Sequence, residues 1–117
     1  MIADVREKGS YIEVYDSKGN RISRMSTGDR EIVGVASSFF VVVHGSYIEV
    51  YDEDCDRISR MSQGDRIVRG ASGETFTVKH GSYIEIYDKD CERISRKSAW
   101  LTLVVLSYCN NHLSVYV

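Results

Sequence analysis

Apolar and polar residues alternate through most of this chain in short runs, a pattern typical of β-strands. The segment YIEVYD, which begins at Tyr47, is the clearest case. Its Ile48 and Val50 point to one side of the strand, and the tyrosines and Glu49 point to the other. β-branched and aromatic residues dominate the segment, which favours a strand. Polar turns rich in Gly, Asp and Ser separate such runs. The pattern predicts an all-β protein.

The strand pattern recurs with a fixed period of 36 residues. The block GSYIEVYD begins at Gly9 and again at Gly45, and it returns as GSYIEIYD at Gly81. Self-similarity of this kind marks an array of one supersecondary unit that buries its apolar face against its neighbours. We therefore predict a single repeat domain that comprises an extra N-terminal strand, residues 1–8, and three copies, residues 9–44, 45–80 and 81–117. The second half of the third copy diverges from the others.

Each copy is predicted to contain four short antiparallel strands joined by polar turns. In the second copy these strands are Tyr47–Asp52, Arg57–Ser62, Arg66–Ala71 and Thr75–His80. In the fourth strand, Phe76 and Val78 are expected to point inward, and the residues between them outward. A short helical turn is the alternative for the second strand, because Ile58 and Met61 lie at helical spacing. With the N-terminal strand, thirteen strands are predicted.

The copies differ in how apolar their strands are. The runs Phe39–Val43 and Trp100–Val105 are apolar enough to be buried on both faces, whereas the strands of the second copy look buried on one face only. Because the copies are otherwise alike, unequal burial predicts that they have different neighbours.

The stretch FVVVHGSYIEVYD, which begins at Phe40 and is followed by a polar turn and RIS, resembles the strands of a β-propeller blade. The Tyr-Asp pairs that end at Asp16, Asp52 and Asp88 are similar in position to the Trp-Asp pair of WD-type blades. Propellers have four to eight blades, so the resemblance implies that two chains form one six-bladed ring. A β-trefoil or a three-sheet β-prism is the alternative, because both close on three four-stranded units.

Composition narrows the functional classes. The formal net charge is −2, and basic and acidic residues are mixed along the chain, which argues against nucleic-acid binding. The longest apolar run is too short to cross a membrane, and the N-terminus lacks the apolar stretch of a signal peptide. The odd number of cysteines, 3, fits a reducing compartment. We expect a cytoplasmic protein.

A Tyr-x-Glu-x-Tyr motif is the strongest candidate for a ligand site. It occurs at Tyr11, Glu13 and Tyr15, at Tyr47, Glu49 and Tyr51, and at Tyr83, Glu85 and Tyr87. On a strand the three side chains share one face, and tyrosine offers contact area together with a polar tip. Such a face is suited to a sugar or a protein partner. The alternative is packing between successive sheets, with the hydroxyl groups bonded to Arg or Glu.

Other motifs predict structure rather than chemistry. The turn that begins at Asp52 has the D-x-D-x-D spacing of calcium loops, but Arg57 stands where such loops have Gly, and the final Glu is missing, so we expect no metal. His44 and His80 lie in equivalent turns without a recurring nucleophile, which argues against an enzyme. Cys55 and Cys91 are expected to be free thiols, because equivalent sites in successive sheets lie too far apart for a disulfide.

The Arg pairs of the RISR segments form a repeated basic edge, for which a salt-bridged rim is expected and phosphate binding is the alternative. The sequence as a whole predicts a non-enzymatic β-repeat scaffold that mediates self-association, with a dimer favoured, and protein–protein interaction. A small multivalent carbohydrate-binding protein is the alternative. No cofactor, nucleic acid or membrane is expected as a partner.

Overall fold

The computed structural model describes residues 1–98, which form eleven β-strands in three antiparallel sheets. The first sheet contains β1 (Asp4–Lys8), β2 (Tyr11–Tyr15) and β3 (Arg21–Ser26). The middle sheet contains β4 (Arg30–Val35), β5 (Phe39–His44), β6 (Tyr47–Asp52) and β7 (Arg57–Ser62). The third sheet contains β8 (Arg66–Ser72), β9 (Thr75–His80), β10 (Tyr83–Asp88) and β11 (Arg93–Ser98). Each strand pairs with its neighbours in the chain, so every sheet is a simple meander.

The prediction of an all-β protein is confirmed. The RISRMS segments are the strands β3 and β7, and the helical alternative for them is wrong. Within residues 1–98 there is no helix that could cross a membrane. The last two predicted strands and the Trp100–Val105 run lie outside the described residues.

The sheets do not coincide with the sequence copies. The middle sheet takes β4 and β5 from the first copy and β6 and β7 from the second. Gly45 and Ser46 form the tight turn between β5 and β6, and Gly45 has a φ of 62°, which suits the first position of a type II′ hairpin turn. The turns at residues 27–29 and 63–65 lead from one sheet to the next. The expectation that the four strands of one copy form one sheet is therefore wrong.

Two hydrophobic cores separate the sheets, so that the middle sheet lies between the other two. In the first core, Ile12 and Val14 of β2 pack with Phe40, Val42 and Tyr51 of the middle sheet. The first four of these side chains are fully buried. Burial of each such side chain contributes about 1.5–3 kcal/mol, so the contact between the sheets is a main source of stability.

The second core repeats the first one 36 residues later. Ile48 and Val50 of β6 pack with Phe76, Val78 and Tyr87 of the third sheet. The prediction that Phe76 and Val78 point inward is confirmed, since both are fully buried. Phe76 stacks on Tyr87 with ring centroids 5.5 Å apart. The equivalent pair in the first core has centroids 5.6 Å apart.

The middle sheet is apolar on both faces. In β5, Phe39 and Val41 point into the second core, and Phe40 and Val42 point into the first. At the positions equivalent to Phe40 and Val42, β1 carries the charged residues Asp4 and Arg6, on the face of the first sheet that points away from the stack. The strand β5 therefore belongs to a central layer, and β1 to an outer one.

On the outer face of the third sheet, the strand β9 is polar in the same way. At the positions equivalent to Phe39, Val41 and Val43, β9 carries Thr75, Thr77 and Lys79. Lys79 is exposed and the two threonines are half-buried. Within residues 1–98 the three layers therefore form a stack in which β5 is apolar on both faces, whereas β1 and β9 are polar on the face that points away from the middle sheet.

The middle and third sheets approach most closely where β4 meets β8. A Cβ atom built on Gly34 would lie 3.2 Å from the Cβ atom of Ala71 and 3.3 Å from the carbonyl carbon of Gly70. A side chain at residue 34 would therefore require Ala71 and the backbone of Gly70 to move by a few tenths of an ångström. The absence of a side chain at Gly34 is what lets the two strands pack backbone against backbone.

Exchanging residue types between positions 4 and 40 tests the layer assignment. Phe40→Asp removes a fully buried ring and leaves a charge in the first core, so we expect the free energy of unfolding to fall by about 3–5 kcal/mol. Asp4→Phe changes the equivalent position on an outer face and is expected to alter it by no more than about 0.5 kcal/mol. Urea denaturation of both variants provides the measurement. Equal losses would contradict the stack.

Candidate functional site

The three Tyr-x-Glu-x-Tyr motifs lie on β2, β6 and β10. In the middle and third sheets their side chains point toward the preceding sheet. In the first sheet they point away from the stack. The glutamates are buried: Glu13 is 6% exposed, Glu49 2% and Glu85 1%. Tyr51 and Tyr87 are buried as well. The first tyrosine of each motif is different, because Tyr11, Tyr47 and Tyr83 are 42%, 42% and 41% exposed.

Glu49 is at the centre of a cluster of donors. Its Oε1 atom accepts a hydrogen bond from the Tyr51 hydroxyl at 2.7 Å and lies 3.2 Å from Nδ1 of His44. Its Oε2 atom accepts one from Nη1 of Arg57 at 3.4 Å. Nε of Arg30 lies 3.9 Å from Oε1 and donates to the Tyr51 hydroxyl at 3.2 Å. Both carboxylate oxygens are therefore already occupied.

The third sheet holds the same cluster around Glu85. The Tyr87 hydroxyl donates to Oε1 at 2.8 Å, and Nδ1 of His80 lies 3.3 Å from the same oxygen. Nη1 of Arg93 lies 3.3 Å from Oε2, and Nε of Arg66 lies 4.0 Å from Oε1. The recurrence of five equivalent residues in one geometry marks the cluster as a built element of the fold.

The cluster in the first sheet is smaller. Glu13 accepts hydrogen bonds from the Tyr15 hydroxyl and from Nη1 of Arg21, the latter at 3.2 Å. Lys8 stands where the other clusters have histidine, and none of residues 1–98 takes the place of Arg30. The guanidinium of Arg6 covers the Tyr15 ring instead, 5.0 Å from its centroid.

These contacts shift the pKa values of the clustered groups. Burial acts to raise the pKa of Glu49, but hydrogen bonds from Tyr51 and His44 and the positive charge of Arg30 outweigh it, so the pKa of Glu49 lies below its ordinary value. Burial also acts to raise the pKa of Glu85, but hydrogen bonds from Tyr87, His80 and Arg93 outweigh it, so this pKa is lowered as well. Burial and the bond to the carboxylate raise the pKa of Tyr51. The carboxylates are therefore held in the charged form.

Glu49→Gln tests the contribution of this charge. The pKa of Glu49 is lower in the folded chain than its ordinary value of 4.5, so the carboxylate stabilises the fold above that pH. We expect the substitution to lower the free energy of unfolding at neutral pH by about 1–3 kcal/mol. The difference from the wild type should shrink as the pH falls below 4.5 through the folded-state pKa, as chemical denaturation across a pH series would measure.

Glu13→Gln serves as the matched control, because Glu13 has fewer partners. Its effect on stability should be smaller than that of Glu49→Gln. A loss in Glu49→Gln that stayed constant down to acidic pH would show that the carboxylate charge is not what stabilises the cluster.

The exposed tyrosines are each covered by an arginine of the neighbouring strand. Arg24 lies over Tyr11 with its Cζ atom 4.2 Å from the ring centroid, and Arg60 lies over Tyr47 at the same distance. In the third sheet the corresponding distance is 4.3 Å. These arginines are the second members of the RISR pairs. The first members, Arg21, Arg57 and Arg93, bind the buried glutamates instead, so only they meet the expectation of salt-bridged side chains.

The acidic turns use their first carboxylate to hold the backbone. Oδ1 of Asp52 accepts hydrogen bonds from the backbone N–H groups of Asp54 and Asp56 at 2.9 and 3.0 Å. Asp88 makes the equivalent bonds in the third sheet, and Asp16 in the first. Among residues 1–98 there is no group of His, Cys, Asp and Glu side chains arranged to hold a metal ion.

Cys55 and Cys91 are free thiols in these turns and adopt φ values of 64° and 62°, a conformation that favours glycine. Gly19 occupies the equivalent position in the first sheet. Burial raises the pKa of the Cys55 thiol, and that of Cys91 is raised in the same way. A raised pKa keeps a thiol protonated and poorly nucleophilic.

Sequence reasoning overlooked one pair of residues in these clusters, Arg30 and Arg66. The signal was present, because each follows a Gly-Asp turn at the same point of its copy. Comparison of the chain with known protein families finds no family that matches, and comparison with curated proteins finds no match. The functional proposals therefore rest on the geometry of the described residues.

Proposed function

We propose that this protein is a non-enzymatic interaction module that associates with a second copy of itself through the outer face of the third sheet. The observation that carries the proposal is the exposure of Ile94, which is 58% exposed on β11. Ile84 and Ile86 of β10 lie beside it and are half-buried. An apolar strip on an otherwise polar sheet face is typical of a surface that a partner covers.

Comparison with the inner layers supports this assignment. The residues equivalent to Ile84 and Ile86 are Ile12 and Val14 in the first sheet. Both are fully buried, because the middle sheet covers them. Ile58, which is equivalent to Ile94, packs against the second core. The third sheet thus presents the side chains that the other two sheets use to bind a neighbouring layer.

A second copy is the occupant that the composition favours. Two such faces related by a twofold axis place isoleucine against isoleucine, and the surrounding Thr75, Thr77 and Lys79 form a polar rim. The opposite end of the stack is less suited to receive it, because the outer face of the first sheet carries Asp4 and Arg6. This composition favours a face-to-face dimer over a head-to-tail ring of six blades.

The stacked arrangement supports a propeller-blade-like unit over the trefoil and prism alternatives. A trefoil or prism gathers its three units around one shared core. The described sheets instead have two cores, one on each side of the middle sheet. Neighbouring propeller blades pack face to face in this manner.

The arrangement also supports a role without catalysis. The recurring His and Glu side chains contact each other, and the Glu side chains also contact tyrosine and arginine; within residues 1–98 none of these hydrogen bonds is with a serine or cysteine side chain. A nucleophile with an adjacent base is the minimum for covalent catalysis.

Ile94→Lys tests the proposed dimer. We expect the wild type to sediment as a dimer, and the variant to associate at least roughly tenfold more weakly, because a lysine at the centre of the contact would lose its hydration. Analytical ultracentrifugation over a range of concentrations measures this, and circular dichroism establishes that the variant is folded.

Asp29→Lys is the matched control, since it places a lysine at an exposed turn between the first and middle sheets. This variant should dimerise like the wild type. A wild-type chain that stays monomeric at every concentration, or an Ile94→Lys variant that dimerises normally, would refute the proposal.

A further inference from the structure

We propose that the exposed Tyr–Arg pairs form a row that binds a linear anionic polysaccharide carrying carboxylate groups on its sugar rings. The row consists of Tyr11 with Arg24, Tyr47 with Arg60, and Tyr83 with Arg96. It lies apart from the isoleucine strip of the third sheet, so the inference goes beyond the proposed self-association and stands independently of it.

The three arginines of the row have no acidic partner among residues 1–98. Arg24, Arg60 and Arg96 are all exposed, and each lies over the ring of its tyrosine. The other arginine of each RISR segment is bound to a buried glutamate, as Arg57 is to Glu49. A guanidinium that stacks on a ring keeps its N–H edge free to donate two parallel hydrogen bonds to a carboxylate.

A further basic or titratable side chain lies beside each pair. In the strand pairing, Lys8 is opposite Tyr11, His44 is opposite Tyr47 and His80 is opposite Tyr83. The exposed Asp29 and Asp65 lie in the turns that follow β3 and β7. The row is therefore three separate cationic spots rather than a continuous basic field, and it suits an anion whose charges are spaced apart.

The tyrosines point to a ring-bearing anion. Each of these tyrosines is partly exposed beside its arginine and offers aromatic surface and a hydroxyl group, which match the apolar C–H face and the hydroxyl groups of a sugar. The carboxylate of an acidic peptide side chain would bind to the guanidinium alone, and the tyrosine would have no role in binding it. The buried glutamates take no part, because their oxygens are occupied within the clusters.

The stacking of the sheets sets the spacing of the three spots. Packed sheets lie about 10 Å apart, so equivalent Tyr–Arg pairs recur at intervals of that order along one side of the molecule. A polymer with an acidic sugar at every second ring can contact all three spots at once. Once one spot is bound, the effective concentration of the polymer at the other two is high, so three weak contacts together give a higher affinity.

Binding of hyaluronate oligosaccharides, which carry a carboxylate on every second sugar, tests the inference. We expect saturable binding in titration calorimetry that weakens as salt is added, and no binding of neutral dextran of similar length. The double variant Arg24→Ser/Arg60→Ser should bind at least roughly tenfold more weakly, because two of the three linked contacts are lost.

The matched control is Lys18→Ser/Arg69→Ser, which removes the same charge at exposed positions outside the row. It should bind hyaluronate like the wild type. The variant Ile94→Lys should also bind like the wild type, because its expected defect is in dimer formation. Tyr47→Leu keeps the arginine but removes the ring, and it should weaken binding.

Three outcomes would overturn the inference. Absence of hyaluronate binding excludes the site. Equal weakening by the two double variants would mean that overall charge alone drives binding. Binding of poly-L-glutamate that is as tight as that of hyaluronate, and unaffected by Tyr47→Leu, would assign the row to acidic peptides instead.

Discussion

A β-sheet with apolar side chains is stable in water only when another layer covers them. In this protein the residue composition of β1, β5 and β9 differs according to whether the strand is covered on one face or on two. Burial contributes about 25 cal/mol for each Å² of apolar surface removed from water. The middle sheet gains this on both faces, and Phe39, Phe40, Val41 and Val42 of β5 are accordingly all fully buried. The equivalent strand β9 alternates between apolar and polar residues, and β1 has one buried apolar residue, Val5, among charged ones.

Polar contacts complete what apolar packing leaves undetermined. Hydrophobic contact has little directionality, so by itself it would let one sheet slide over the next. Arg30 prevents this, since its Nη1 atom donates to the carbonyl oxygen of Ser26 in the first sheet and its Nε atom faces the Glu49 cluster in the middle sheet. The Ser59 hydroxyl donates to the carbonyl oxygen of Lys89 and links the middle and third sheets in a similar way. Buried charges of this kind add modest net stability, and their main effect here is to fix the register of the layers.

Much of the fold could be predicted from the sequence, because alternation and turn residues are local signals. The strand positions and the inward side of β9 followed from them. The grouping of strands into sheets did not, because the turn at residues 27–29 and the hairpin turn at Gly45 look alike in sequence, although one leads to a new layer and the other does not. The cluster around Glu49 was equally hidden, since one of its members, Arg30, is distant in sequence and reaches it only through the fold.

The offset between copies and sheets has a consequence for how such a chain can change its length. The middle and third sheets each join the second half of one copy to the first half of the next, as the middle sheet joins β5 to β6. When unequal recombination within the gene removes or adds any window of one full period, the two half-sheets at the junction still complete each other. The crossover point need not fall at a boundary between copies, so a family of such proteins can vary the number of its layers without passing through a broken sheet.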